Sequence, residues 1–223
     1  MSPRYAVVAG ASGLVGGHLV EELLRAPEYA RVTALVRRRL PLEHARLRQV
    51  VVDFARLDSA GPALAADDAY CALGTTRAKA GSDDAFRRVD FDAVEDFARL
   101  TQLSGASQFL LVSSSGANAS SRFLYPRVKG EAEEAVSRLP FAGVHVFRPS
   151  LLLGARAERR PLERLAQAAL TPLLPLMGGP LRRYRPIQAA VVARAMVRWA
   201  LRGKTDVNRL ENELIESLGS AAR

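Results

Sequence analysis

The sequence contains only one cysteine, Cys71, in 223 residues. Without a second cysteine it cannot form an intramolecular disulfide or supply a paired-cysteine zinc site, which excludes a secreted disulfide scaffold. It also lacks an apolar run of the roughly 18 residues that span a bilayer, since Arg194 and Arg198 interrupt the apolar stretch near its carboxyl end. These absences predict no membrane partner and a cytoplasmic location.

Lysine and histidine are also scarce. Of the 32 basic residues only three are lysines, and the formal net charge is +9. A basic chain can bind nucleic acid or an anionic cofactor. Here, however, the arginines are spread along the chain, which favours a solvated surface over a nucleic-acid footprint. The histidines His18, His44 and His145 are isolated, so we predict no metal site.

Short apolar segments alternate with amphipathic ones along the chain, whose 48% apolar and 25% charged residues are typical of a globular protein. The predicted strands are Tyr5–Ala9, Arg31–Val36, Gln49–Asp53, Ala69–Leu73, Gln108–Ser113 and Val144–Arg148. The predicted helices are one that ends near Pro27 and those over Ser82–Leu103, Ser121–Leu139 and Gln188–Leu201. This order predicts right-handed crossovers and an α/β fold with a doubly wound parallel sheet.

We expect a single domain over residues 1–223, because nothing in the sequence suggests a second core. The region from about 154 to 186 breaks the alternation with prolines, a Gly-Gly-Pro turn signal and a dense set of arginines. We expect it to form a small irregular lobe on the substrate side, since ligands of such sheets bind beyond the carboxyl ends of the strands.

Three glycines, Gly10, Gly13 and Gly16, separate the first predicted strand from its helix. A pyrophosphate needs a tight turn, a close approach of the backbone and the free amides of a helix N-terminus, and glycines at this place supply all three. The spacing is G-x-x-G-x-x-G rather than G-x-G-x-x-G, so the position after a strand carries the argument. The alternative is a glycine-rich turn with no ligand.

Three arginines, Arg37, Arg38 and Arg39, follow the second predicted strand, where an NAD site places a carboxylate on the ribose 2′-hydroxyl. A guanidinium matches the 2′-phosphate of NADP in charge and geometry, whereas a carboxylate repels it. We therefore predict NADP(H), held by Arg37 and Arg38. For Arg39 we favour a role in solvating the loop.

Tyr125 and Lys129 lie four residues apart on one predicted helix and therefore share a face. An ammonium ion beside a phenol stabilises the phenolate, so Tyr125 is a candidate proton donor to a carbonyl that is being reduced. Lys129 is also placed to hold the nicotinamide ribose. Of the serines Ser113, Ser114 and Ser115 at the preceding strand end, we choose Ser114 to bind the substrate oxygen, although any of the three is an ordinary turn residue.

With these elements assembled, the chain resembles the short-chain dehydrogenase/reductase superfamily. Three segments narrow the match: CALGTTRAKAG at 71–81, FLY with VKGE at 123–131, and FRP at 147–149. They are similar to the atypical subfamily typified by the Tat-interacting metastasis-suppressor protein. The resemblance implies a Rossmann fold that binds NADPH. By position, it implies cofactor contacts at Ser12, Gly13, Arg37, Arg38, Leu73, Gly74, Tyr125, Lys129, Leu152 and Arg160.

Two positions depart from the wider superfamily. An asparagine usually completes the proton relay on the helix after strand four, and Asp90 occupies that place here. Pro126 follows Tyr125 directly, which predicts that the helix begins only there and that the Tyr–Lys geometry is distorted.

Three functions therefore remain open. The first is an NADPH-dependent reductase of a small carbonyl or quinone-like compound. The second is an NADP(H)-binding regulatory or interaction protein without turnover, which the two departures favour. The third is a nucleic-acid binder, for which net charge is the only argument. Substrate identity and oligomeric state lie beyond the sequence.

Overall fold

In the computed structural model, residues 3–154 and 185–221 are described. The strands of the main sheet are β1 (Arg4–Ala9), β2 (Tyr29–Val36), β3 (Leu47–Val51), β4 (Asp68–Cys71), β5 (Gln108–Val112), β6 (Gly143–Arg148) and β9 (Asp206–Glu211), with a minor pair β7 (Leu152–Leu153) and β8 (Ile187–Gln188). The helices are α1 (Leu14–Arg25), α2 (Arg77–Ala80), α3 (Asp83–Arg87), α4 (Ala93–Leu103), α5 (Leu124–Ser137), α6 (Ala189–Ala200) and α7 (Asn212–Ser220). All but the ends of the predicted lobe lie outside the described residues.

The seven main strands of the described residues lie in the order β3-β2-β1-β4-β5-β6-β9, and every pair is parallel. The chain moves outward from β1 to β3 and then returns to β4 on the other side of β1. This order confirms the predicted doubly wound α/β fold. The reversal opens a crevice between the carboxyl ends of β1 and β4, which is where such sheets bind ligands.

Both faces of the sheet are buried, as the continuous apolar strands require. Because side chains alternate along a strand, Ala6 and Val8 of β1 face the core that α1, α6 and α7 cover, while Val7 and Ala9 face the core under α4 and α5. On the first face, α1 contributes Leu19 and Leu23, and α6 contributes Val192 and Met196. Among the described residues, no helix is long and apolar enough to cross a membrane.

Two parts of the fold differ from the sequence prediction. The helix expected over Ser82–Leu103 is divided by a π-helical turn, Arg88–Asp92, between α3 and α4. The last strand, β9, and α7 were not predicted at all. Leu210 is the buried residue of β9, whose sequence DVNRLE is otherwise polar, because an edge strand needs little apolar surface.

A buried polar network joins the amino ends of the strands, at the edge opposite the crevice. Asp68 accepts hydrogen bonds from Arg4 at 2.9 Å, from the Tyr29 hydroxyl at 2.6 Å and from Gln108 at 3.0 Å. Gln108 Oε1 lies 3.1 Å from His145 Nε2. Since the Gln108 amide nitrogen already donates to Asp68 and to the carbonyl of Ala200, His145 Nε2 is the donor to Gln108.

Candidate functional site

The glycine loop between β1 and α1 is built for close approach. Gly10 has a φ of +85°, which favours glycine, and a side chain there would collide with the carbonyl of Ala72. A side chain at Gly16 would collide with the carbonyl of Gly10, and the Gly13 amide donates to that same carbonyl at 2.9 Å. The loop therefore folds tightly over the end of β1 and against the chain that follows β4.

Helix α1 begins at Leu14 with Gly13 as its N-cap, and no side chain of the described residues caps it. Ser12 beside it is exposed. An uncapped N-terminus leaves backbone amides and the positive end of the helix dipole available to an anion. The residues present thus suit a pyrophosphate, because the tight glycine loop brings the uncapped amides of α1 to the carboxyl end of β1.

Arg37 and Arg38 directly follow β2, and both are exposed, as is Arg39. None of the three pairs with a carboxylate within the described ranges. The end of β2 lies beside β1, whose register pairs Ala9 with Leu35. The guanidinium groups thus have unused donors near the mouth of the glycine loop.

The segment after β4 connects the glycine loop with helix α5. A side chain at Gly10 would meet Ala72 and the Leu73 amide at 2.8 Å. One residue further, a Cβ at Gly74 would lie 3.4 Å from both Asp90 Oδ1 and Lys129 Nζ. The chain from Ala72 to Gly74 therefore touches the glycine loop on one side and the Lys129 side chain on the other.

Lys129 is buried, and its Nζ lies 2.8 Å from Asp90 Oδ1, which is itself fully buried. Burial alone lowers the pKa of Lys129, but the carboxylate of Asp90 and the phenol of Tyr125 act more strongly together, so that the pKa lies above its usual value. Lys129 is therefore held as an ammonium ion. The other oxygen, Asp90 Oδ2, accepts from the Thr75 amide at 2.8 Å.

Tyr125 lies in the first turn of α5 and is 45% exposed, with its ring 5.8 Å from that of Phe86. The expectation that the helix begins only at Pro126 is wrong. Helix α5 begins at Leu124, because a proline in the first turn removes an amide that has no helical partner there. Tyr125 and Lys129 consequently share one helix face.

Among the three serines, the structure separates Ser113 from Ser114. The Ser113 hydroxyl donates to Glu133 at 2.5 Å, and Glu133 also accepts from Arg148. The Ser114 hydroxyl is buried and has no hydrogen-bond partner among the described residues. Ser114 therefore has unused hydrogen-bonding capacity. It lies near the start of α5, since the Asn118 amide a few residues later donates to the Pro126 carbonyl at 2.8 Å.

The remaining predicted cofactor residues differ in their surroundings. Leu73 is half-buried beside Gly74. Leu152 lies in β7. The chain just after β7 lies against α1, since a Cβ at Gly154 would be 2.8 Å from the Leu14 side chain. Arg160 lies outside the described residues.

Sequence reasoning missed two features of this site. One is the direct ion pair between Asp90 and Lys129, although the sequence did single out Asp90. The other is Gly130, where a side chain would collide with the backbone of Asn118 and Ala119. The loop that follows Ser113–Ser115 therefore packs directly against α5 at Gly130. The VKG sequence after Tyr125 contains this glycine, but nothing local shows what it packs against.

Comparison with known proteins decides the family. The sequence profile of the NAD(P)H-binding family matches residues 10–138. Protein HTATIP2 from Rattus norvegicus is 44% identical over 171 residues, which cover 75% of this chain and 70% of that protein. The chain belongs to the NAD(P)H-binding family. Within that family it belongs to the HTATIP2-like group, which confirms the resemblance seen in the sequence.

More distant comparisons agree on the architecture. The chain is similar in structure to a UDP-glucuronic acid 4-epimerase from Bacillus cereus in complex with NAD, with a TM-score of 0.68 over 94% of this chain and 78% of that one. At 15% identity, this likeness shows the fold alone. It confirms a Rossmann fold of the kind found in NAD-binding enzymes.

The prediction of a cytoplasmic location is wrong by the same comparisons. Protein fmp52, mitochondrial, from Aspergillus clavatus is 39% identical over 161 residues, covering 69% of each chain. Other fungal relatives are also named as mitochondrial proteins. The prediction rested on one cysteine and the lack of a long apolar run. These features do not separate the cytoplasm from an organelle, because an organelle address is not part of the folded core.

Proposed function

We propose that this NAD(P)-binding chain is an NADPH-dependent oxidoreductase that reduces a small carbonyl or quinone-like compound. The observation that carries the proposal is the contact of Ala72–Gly74 with both the glycine loop and Lys129. Through this segment the glycine loop lies next to the Lys129 ammonium ion, at the carboxyl end of the sheet, where Ser114 follows β5 and Tyr125 lies in the first turn of α5. That combination suits a dinucleotide with a polar substrate oxygen beside it.

In this proposal the residues that hold the cofactor are the glycine loop with Ser12, the segment Leu73–Gly74, and Leu152, with Arg160 implied by the resemblance. Arg37 and Arg38 bind the 2′-phosphate, and Lys129 binds the nicotinamide ribose. When bound, NADPH supplies a hydride.

The other steps belong to side chains of the protein. The Ser114 hydroxyl donates a hydrogen bond to the substrate oxygen, where negative charge develops. Tyr125 donates the proton from its phenol to that oxygen. Lys129 stabilises the phenolate that remains, because its ammonium ion lies on the same face of α5.

The cofactor preference is tested by replacing Arg37 and Arg38 together with alanine. Hydrogen bonds to charged groups contribute about 1.5–3 kcal/mol each, so with both arginines removed we expect NADPH affinity to fall by about a hundredfold or more while NADH affinity stays the same. Calorimetric titration of both nucleotides measures this. Arg39→Ala is the matched control and leaves the preference unchanged. Equal affinity of the unaltered protein for both nucleotides would contradict the proposal.

A second function is an NADP(H)-binding regulatory protein without turnover, and the replacement of the usual asparagine by Asp90 favours it. It predicts the same NADPH binding but no oxidation of NADPH with any member of a broad panel of aldehydes, ketones and quinones. If the protein reduces one compound of this panel, and if that activity depends on Tyr125, the protein is a reductase.

A further inference from the structure

Asp90 joins three parts of the candidate site. It lies on the π-helical turn between α3 and α4, its Oδ1 is 2.8 Å from Lys129 Nζ on α5, and its Oδ2 accepts from the Thr75 amide in the loop after β4. Asp90 has no exposed surface, and the Lys129 side chain is only 7% exposed. A π turn carries one extra residue per turn and is frequent at functional sites.

Among the residues that the structure describes, the surroundings of Lys129 offer no other counter-ion. The groups that face its Nζ are Tyr125 on its own helix, the Cys71 thiol on β4 and Asp90. Burial raises the pKa of Cys71 to about 12, so that the thiol is neutral near pH 7. Within the described part of the chain, Asp90 is the only carboxylate that forms an ion pair with Lys129.

A buried ammonium ion without a partner is strongly unfavourable and loses its proton instead. An asparagine at position 90 would accept a hydrogen bond but would leave the charge uncompensated.

We propose that Asp90 is a positioning residue that holds Lys129 as a fixed, charged ammonium ion against Gly74, through an ion pair that also ties down the Thr75 loop. That Asp90 thereby supports the binding of the cofactor ribose by Lys129 rests on the proposed function. The charge state of Lys129 is independent of the proposed function. In this arrangement the pair is neutral overall, and Lys129 keeps its charge across the physiological pH range.

The three lysines of the chain allow a direct test. In protein labelled with ¹³C and ¹⁵N in lysine only, the Cε–Nζ correlations of Lys79, Lys129 and Lys204 are followed by NMR from pH 6 to 11. Lys204 is exposed and serves as the internal reference. We expect Lys129 in the unaltered protein to titrate at a higher pH than Lys204. Titration of Lys129 together with Lys204, or at a lower pH, overturns the proposal without any variant.

The variant Asp90→Asn should lower the titration midpoint of Lys129 by about one unit or more, to below that of Lys204. Asp92→Asn is the matched control, because Asp92 is exposed on the same π turn and its substitution removes the same charge. It should leave Lys129 unchanged. An Asp90→Asn protein that folds and in which Lys129 titrates as before also overturns the proposal.

NADPH affinity provides the second readout. Between pH 6 and 10 we expect the unaltered protein to bind NADPH with nearly constant affinity. Asp90→Asn should lose affinity progressively over this range, by up to about tenfold, as Lys129 gives up its proton. A constant deficit at every pH overturns the cofactor role of Asp90 in favour of a merely structural one. Failure of the unaltered protein to bind NADPH contradicts the proposed function instead, while the NMR titration still decides the role of Asp90.

Discussion

Tyr125 and Lys129 share a helix face but have opposite surroundings. Tyr125 is 45% exposed, whereas Lys129 is 6% exposed and paired with Asp90. A proton donor must reach a substrate that enters from solvent, while the group that supports it gains from a fixed position in a region of low dielectric constant. The difference in burial fits the separate roles that we propose for these two residues.

Replacement of Tyr125 by phenylalanine tests the proton donor. General acid catalysis contributes about 10²- to 10⁴-fold, so we expect kcat with a reducible substrate to fall by that range, while NADPH affinity changes little because the ring remains against Phe86. Stopped-flow measurement of NADPH oxidation checks the rate. Tyr5→Phe, at a second exposed tyrosine on β1, is the control and keeps full activity. Unchanged turnover in Tyr125→Phe would show that another group supplies the proton.

The sequence identified the candidate catalytic residues but did not select among the serines. Its spacing placed Tyr125 and Lys129 on one face, because four residues are one helical turn. It could not choose between Ser113 and Ser114 on physical grounds. The residue that distinguishes them is Glu133, which takes up the Ser113 hydroxyl from a different element, 20 residues further along the chain.

At the level of elements, the glycine loop shows how local sequence predicts local structure. Gly10 needs a positive φ and room beside Ala72, and the three glycines together bring β1 and α1 into a tight turn. These demands are local, so that the pattern and its position after an apolar strand were sufficient to locate the loop. Gly17, one residue past the motif, has no such demand, since its Cβ would meet only the Ala11 carbonyl at 3.7 Å.

The pair Gly10→Ala and Gly17→Ala separates the loop from the helix. We expect Gly10→Ala to lower thermal stability and to abolish NADPH binding, because the added methyl group meets the backbone of Ala72 and requires a strained φ. Gly17→Ala should instead retain binding and raise stability by up to about 1 kcal/mol, through better helix propensity. Thermal melts with and without NADPH measure both effects. A Gly10→Ala protein that binds NADPH normally would contradict the proposal that the tight glycine loop binds the cofactor.

Elements whose form depends on distant contacts were predicted less well. The periodicity of Ser82–Leu103 indicates one helix, since apolar residues recur on one side throughout. The π turn within it places Asp90 toward Lys129, and that ion pair is not visible in local spacing. Similarly, β9 is recognisable only beside β6, because its polar sequence has no strand signal of its own.

For the molecule as a whole, the predicted alternation of strands and helices was sufficient for the architecture. Five of the first six strands were located because they are short, mostly apolar and buried on both faces, whereas β3, at the edge of the sheet, has no buried residue. Parallel pairing followed from the helices that lie between most of these strands. The NAD(P) class of cofactor followed from the glycine loop and from the family. The substrate could not be identified in this way, since the region expected to cover it lies outside the described residues.

The network at the amino ends of the strands predicts how stability varies with pH. Burial lowers the pKa of His145 to about 4 from its ordinary 6.5. The folded protein therefore resists protonation there, while the unfolded chain does not. The stability that neutral His145 contributes is complete above pH 6.5 and is lost as pH falls toward 4.

The variant His145→Gln cannot be protonated at this site. We expect its melting temperature to fall less steeply between pH 6.5 and 4 than that of the unaltered protein, as measured by calorimetry. His18→Gln, on the outer surface of α1, is the control and should retain the original slope. An identical slope in His145→Gln would mean that His145 does not contribute to the acid sensitivity.

The Arg4–Asp68–Gln108–His145 network has a consequence for how this fold can change. Its hydrogen bonds tie β1, β4, β5 and β6 together at the edge far from the proposed chemistry. The network thus stabilises the strand order at the amino ends of the strands. The loops at the carboxyl ends need not contribute to holding the sheet together. Substitutions that alter specificity and substitutions that alter folding should therefore lie at different ends of the strands. Loop substitutions could then change the substrate that is bound without destabilising the sheet.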